Sequence, residues 1–279
     1  MKFAKGHGLG NDFILVAESE FKEPAAAWAR RLCDRHEGIG GDGVLVYATQ
    51  EGGVRMRLLN ADGSDGEVSG NGVRCLAAYV VSRLGVPRQH TVVTPVGPRP
   101  VEVEDQGGRF RVATDLGPAR LRSDLVPVAL EPPRDFVIDF PVQAGTECVM
   151  VTATSLGNPH CALFYDHEPE DALLGRLGPV LENHPFFPKR TNVEFVNVRS
   201  RSELRVRFWE RGVGYTRASG TGAASAAVAA MLKGLADRRV RVVCDGGVLD
   251  IEWPEGGNVR QVGEVEILFE GTWKAAGGP

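Results

Sequence analysis

SGNGVRCLAAYV, residues 69–80, returns little changed as SGTGAASAAVAA at residues 219–230. Each copy opens on serine and a Gly-x-Gly, then runs into small apolar residues. That is the composition of a helix start. Serine caps the first turn, and glycine leaves its N–H groups open to an approaching anion. Carried back at the same offset of 150, Arg55-Met56-Arg57-Leu58-Leu59-Asn60 falls against Arg205-Val206-Arg207-Phe208-Trp209-Glu210. Both segments alternate as a half-buried strand does. Each is followed by a glycine-bearing loop of equal length, ADGSDGEV (61–68) in one and RGVGYTRA (211–218) in the other.

The correspondence continues upstream with small insertions. Leu9-Gly10-Asn11 pairs with Leu156-Gly157-Asn158. The helix-like PAAAWARRLCDRH (24–36) pairs with EDALLGRLGPVLENH (170–184), and each ends in His before a strand, expected at Gly43–Val46 and Asn192–Val196. A co-linear series of this kind reads as duplication. Two copies of ~130–150 residues are too few and too long for a solenoid, so the pattern predicts a pair of similar domains. The boundary falls near Leu116-Gly117-Pro118, giving a first domain over 1–117, with the tail 265–279 able to return to it, and a second over 118–264.

The segments after the glycines predict buried helices. From Val73, the residues Leu76, Ala77, Val80 and Leu84 keep helical spacing, with Gly85 as a stop. The partner segment, Ala223 to Met231, is small and apolar on nearly every side, and a helix apolar all round is buried all round. The expected fold is therefore α+β: two pseudo-symmetric domains, each a mixed sheet wrapped around a central helix. The two helix starts are expected to meet in an interdomain cleft.

Composition narrows the partners. The 279 residues are 43% hydrophobic and 24% charged, with a net charge of −4. A mildly acidic chain offers no basic footprint for nucleic acid or an anionic membrane surface. No apolar run approaches the ~20 residues of a membrane helix. The start MKFAKGHGLGND turns polar at once, unlike a signal peptide. Five scattered cysteines without C-x-x-C argue against a disulfide framework and for a reduced, cytoplasmic compartment. Neither Cys nor His spacing predicts a metal site. Association is open, since exposed strand edges could support a homodimer.

Two glycine nests at helix starts suit one small carboxylate; the lysine of a phosphate-binding loop is missing from both. GHGLGN (6–11) is not a dinucleotide fingerprint either, so no cofactor is expected. Arg211 can clamp a carboxylate in bidentate fashion. Glu210, with the side-chain carbonyls of Asn60, Asn158 and Asn192, can receive an ammonium group. His160, in GNPHC, can order or polarise a neighbour. The expected ligand is an amino acid.

Taken together, GHGLGNDF (6–13), NADGS (60–64), GNGVRC (70–75), LGNPHC (156–161), HPFFPKRTNVEF (184–195), WERGVG (209–214) and SGTGA (219–223) make the chain resemble the diaminopimelate epimerases over nearly its whole length. The resemblance implies a cofactor-independent isomerase that turns LL-diaminopimelate into the meso form for lysine and cell-wall synthesis. One group removes the α-proton from one face, and a second protonates the other. By motif match, Asn11, Asn60, Asn158, Asn192, Glu210 and Arg211 would hold substrate. Gly70-Asn71 and Gly220-Thr221 would bind the carboxylate at the reacting carbon. His160 and Glu210 would support the proton-transfer pair.

The chain departs from the family at the chemistry. The two catalytic cysteines would stand at Ser69 and Ser219. Gly43 also stands where Gln is usual, and Tyr215 where Glu is usual. A thiol with pKa ~8.5 is readily lowered at a helix N-terminus. A hydroxyl needs a strong adjacent base to act at all. Three readings follow: an epimerase whose thiols were replaced, a paralogous racemase or isomerase, and a binding protein that kept the amino-acid site. With serine at 69 and 219, the chain is expected to epimerise diaminopimelate poorly or not at all.

Overall fold

The computed structural model describes residues 1–21, 24–66 and 69–274, so the end of the loop at 61–68 and the last residues of the tail lie outside the described residues. The chain forms two compact units. One holds Met1–Asp115 together with the segment from Val262 onward, and the other holds Leu116–Gln261. The chain thus crosses between units at 115/116 and 261/262, against 117/118 and 264/265 as read from sequence.

The first unit begins with β1 (Lys2–Gly8), β2 (Asn11–Ala17), α1 (Ala25–Cys33), β3 (Gly43–Gln50) and β4 (Gly53–Asn60). It continues with the short β5 (Asp65–Gly66), α2 (Gly70–Leu84), β6 (Gln89–Thr94), β7 (Gly97–Asp105) and β8 (Arg109–Asp115). The second contains β9 (Val137–Ala144), β10 (Glu147–Ser155), β11 (Pro159–Tyr165), α3 (Asp171–Glu182), β12 (Asn192–Ser200) and β13 (Glu203–Glu210). After these come β14 (Gly214–Thr216), α4 (Gly220–Leu232), β15 (Arg239–Cys244), β16 (Gly247–Glu252) and finally β17 (Arg260–Thr272), most of which belongs to the first unit.

Pairing repeats between the units. In the first, β1 lies antiparallel to β2, β2 parallel to β3, β3 antiparallel to β4, β4 parallel to β6, and β6 antiparallel to β7. In the second, β10, β11, β12, β13, β15 and β16 repeat that series in the same senses. Register is conserved too: Gly53 faces Thr91 across the parallel pair, and Glu203 faces Arg241. In the first unit β7 pairs with β8, and β17 pairs with both β8 and β1, so the sheet closes on itself. The fold is α+β, with a mixed sheet wrapped around one helix in each unit.

The helices occupy the insides of these sheets. In α4 every residue from Gly222 to Met231 is buried, as an all-apolar surface requires. In α2, Val73, Leu76, Ala77 and Val80 are fully or almost fully buried against Leu45, Met56 and Val112. Gly85 ends it at φ 70°, the left-handed cap that glycine adopts without a Cβ penalty. Outside the first sheet, α1 lays Ala25, Trp28, Ala29 and Leu32 on Val44, Val46 and Leu59. The spacing i, i+3, i+4, i+7 makes that one face.

Five boundaries differ from those drawn by the hydrophobic pattern. Both inner helices begin earlier, at Gly70 and Gly220, because the glycines themselves form the first turn under a serine cap. The strands expected to end at Val46 and Val196 continue to Gln50 and Ser200, where the ladder persists although the side chains turn polar. The helix α1 stops at Cys33, since Asp34 Oδ1 accepts from the N–H groups of His36 and Glu37 and bends the chain away.

Candidate active site

In the second unit the site gathers at the start of α4. Ser219 is the N-cap, and its Oγ accepts from Gly222 N at 3.3 Å. The same hydroxyl donates to Glu210 Oε2 at 2.8 Å. Glu210 reaches it because β13 alternates. Phe208 and Glu210 point to α4, while Arg207 and Trp209 point outward, Trp209 against Gly178 of α3. Behind the nest, Gln261, itself fully buried, donates to Gly220 O at 2.7 Å and fixes that peptide.

A second line of polar groups approaches the nest from β11. Asn158 Nδ2 donates to Thr221 Oγ1 at 3.4 Å. Its Oδ1 lies 3.0 Å from His160 Nε2, and His160 Nδ1 lies 2.7 Å from Glu194 Oε1. Burial pushes the Glu194 carboxyl above its ordinary range, and His160 only partly offsets this. Asn192 is committed to the backbone. Its Nδ2 donates to Pro159 O at 2.9 Å, and its Oδ1 accepts from Arg211 N at 3.0 Å. Glu182 accepts from Gly212 N at 2.8 Å, so the Arg211 turn is held from two sides, and the Arg211 guanidinium donates to Lys189 O at 3.0 Å.

In the first unit the start of α2 is built the same way with different partners. Ser69 Oγ accepts from Gly72 N at 3.1 Å. No carboxylate stands beside it among the described residues of this unit. Asn71 Nδ2 donates to Asn11 Oδ1 at 3.3 Å, and Asn71 Oδ1 accepts from the wholly buried Arg74 guanidinium. Asn11 Nδ2 donates to Asp42 Oδ2 at 2.7 Å. Asp42 and Asp12 share Arg35, and Asp12 also pairs with the buried Lys5 at 2.7 Å. Burial works to raise the Asp12 pKa, but Arg35 and Lys5 hold it well below the usual carboxylate range. Asn60 donates to Ser64 Oγ at 2.9 Å, closing its own loop.

The structure thus brings Asn158, His160, Glu210, Ser219, Gly220 and Thr221 together in one unit, and Asn11, Ser69, Gly70 and Asn71 in the other. Asn60 and Asn192 each hold a loop, Asn60 through Ser64 and Asn192 through Pro159 O and Arg211 N. Sequence reasoning missed Glu194, Arg74 and Asp42. The one available signal for Glu194 was a lone acid inside the apolar TNVEF strand, on the same face as Asn192.

The two lesser departures differ in weight. Tyr215 pairs with Trp209 on the outer face of the sheet and donates to Asp245 Oδ2 at 2.7 Å, in a cluster with Arg205 and Arg207. It faces away from Glu210. Gly43 pairs with Asn60 on the inner face, and a Cβ there would meet Leu59 O at 2.8 Å. Three buried thiols are poorly disposed to ionise. Burial pushes Cys75 up to about 12 and Cys33 up to about 11, and drives Cys161 well above its ordinary value. Among the described residues no group of three or more His, Cys, Asp or Glu side chains could hold a metal ion, and no helix is long and apolar enough to cross a membrane.

A sequence profile of the diaminopimelate epimerase family matches residues 3–122 and 152–268, and so covers both nests and the Asn158–Glu210 cluster. The chain belongs to the diaminopimelate epimerase family. The diaminopimelate epimerase of Desulforudis audaxviator is 46% identical over 282 residues, spanning 99% of this chain and 100% of that protein. The diaminopimelate epimerase of Synechocystis is 41% identical over 280 residues, spanning 97% and 98%. The fold also matches the solved structure of a hydroxyproline epimerase from Agrobacterium vitis. There the TM-score is 0.67 at 12% identity, over 97% of this chain and 90% of that one. Membership makes the chain an isomerase of the epimerase type.

Proposed function

We propose that the chain binds diaminopimelate, with the Gly70-Asn71 and Gly220-Thr221 nests as its carboxylate-binding groups, and that its two serines make it a poor epimerase. The supporting observation is the matched pair of serine-capped helix starts. Each presents open N–H groups and the positive end of a helix dipole. In the reaction of such a site, a proton leaves the α-carbon on one face and another arrives on the opposite face. Charge that builds at the carbon delocalises into the carboxylate, where the nests stabilise it. No cofactor takes part. The setting is cytoplasmic lysine and cell-wall synthesis, and a homodimer is compatible with it.

The hydroxyls are the weak point. A group far from its working pKa transfers protons inefficiently. Ser219 has Glu210 to receive its proton; among the described residues of its unit Ser69 accepts from Gly72 N. Gly43 favours a second reading, a binding protein or a racemase for another amino acid, because it removes a side chain on the same inner face as Asn60.

Deuterium uptake at the α-carbon in D₂O tests the proposal. The expected result is little uptake as the chain stands and restoration by the double change Ser69→Cys with Ser219→Cys. Rapid uptake with inversion by the serine form contradicts the impairment. Binding of another amino acid but not diaminopimelate supports the second reading.

A further inference from the structure

The Glu194–His160 pair is the most enclosed ionisable pair in the second unit's site, and proton transfer to substrate does not by itself call for it. Both side chains are 1% exposed and stand 2.7 Å apart. The other ionisable side chain acting on Glu194 from this face is Glu210 of β13, an acid; the Cys161 thiol lies on the opposite face of β11, and its backbone N–H gives Glu194 a hydrogen bond. The helix α4, packed against β11 and β12, carries no ionisable side chain. A lone carboxylate in such surroundings lacks a counter-charge and is costly to bury. Burial accordingly raises Glu194. The other ring nitrogen, Nε2, stands 3.0 Å from Asn158 Oδ1, while Asn158 Nδ2 is turned to Thr221 Oγ1. An amide oxygen accepts only, so Nε2 must carry hydrogen.

We infer that Glu194 is a positioning residue. The proton it shares with His160 keeps Nε2–H directed at Asn158, and Asn158 in turn presents its NH₂ to Thr221 at the start of α4. His160 is then no free base. This reverses the arrangement of the serine-protease triad, in which the acid accepts from Nδ1–H and leaves Nε2 bare. The placement of the proton rests on geometry within one unit; its consequence for ligand affinity rests on the amino-acid site proposed above.

Nitrogen-15 NMR of the full chain labelled at histidine reads the proton directly. Through the neutral range His160 Nε2 is expected to be protonated, with a one-bond coupling to hydrogen. A bare Nε2 with the only ring proton on Nδ1 overturns the inference. Glu194→Gln supplies an N–H to Nδ1 and is expected to keep both the Nε2 proton and affinity for diaminopimelate. Glu194→Ala is expected to release the tautomer and weaken binding by about tenfold. A Gln variant that matches the Ala variant in tautomer overturns the inference as well. The labelled wild-type chain needs no variant to fold and no ligand to bind. If diaminopimelate fails to bind any form while Nε2 stays protonated, the proposed function falls and the positioning role stands.

Discussion

At the scale of single residues, the site is made from side chains whose first duty is to hold other side chains. Asp12 shows the cost. It joins buried Lys5 to Arg35, and through Arg35 to Asp42, the residue that orients Asn11. Its folded-state pKa lies below the unfolded value, with the stabilising pairs overcoming the opposing effect of burial. The unfolded chain therefore binds the proton first as pH falls. The stability Asp12 contributes is complete above the unfolded pKa and is lost as pH drops through it toward the folded value. Asp12→Asn is expected to cost roughly 2–3 kcal/mol at neutral pH and to flatten the acid limb below about pH 4. Urea midpoints across that range check both; an unchanged acid limb contradicts the assignment. Ser69 and Ser219 were legible as caps because capping is local, a hydroxyl reaching an N–H three residues on. The Glu194–His160 contact joins residues 34 apart on neighbouring strands. Before the strands are paired, nothing distinguishes that glutamate from an ordinary polar alternation.

At the scale of elements, the two inner helices carry the design. The helix α4 is buried on every side, so its first turn has no room to shift without moving the sheet around it. Gly222 shows how tight that turn is. A Cβ there would lie 2.9 Å from Ser219 Oγ and 3.0 Å from Phe208 Cδ1. Gly222→Ala is expected to cost about 1–3 kcal/mol and to turn the Ser219 hydroxyl away from Glu210. Denaturant unfolding measures the first effect, and ligand affinity the second; a variant as stable and as tight-binding as the wild type contradicts the packing described. Helix identity was readable from apolar periodicity and from Gly85. Apolar periodicity alone starts them late, at Val73 and Ala223; the serine caps mark the true first turn, where Gly-x-Gly has low helix propensity and the cap and surrounding sheet hold it helical.

At the scale of the molecule, one pattern of strand pairing is used twice, and the offset of 150 seen in the sequence survives as register between paired strands. The duplication was legible because the strand β4, its loop and the helix α2 recur without insertion. The role of β17 was not. It begins beside Gly220 of the second unit, through Gln261, and then pairs with β1 and β8 of the first. Ending the chain after Gln261 is expected to strip hydrogen-exchange protection from β1 and β8 while β11, β12 and α4 keep theirs. Undiminished protection of β1 contradicts the closed sheet.

The central claim of the proposed function is that the serine-capped nests bind the acid group of an amino-acid ligand. Backbone amide shifts of Gly70, Asn71, Gly220 and Thr221, followed while diaminopimelate is added, test it most directly. All four resonances are expected to move together and saturate at a single dissociation constant. Movement confined to one pair, with the other unchanged at saturation, would contradict it.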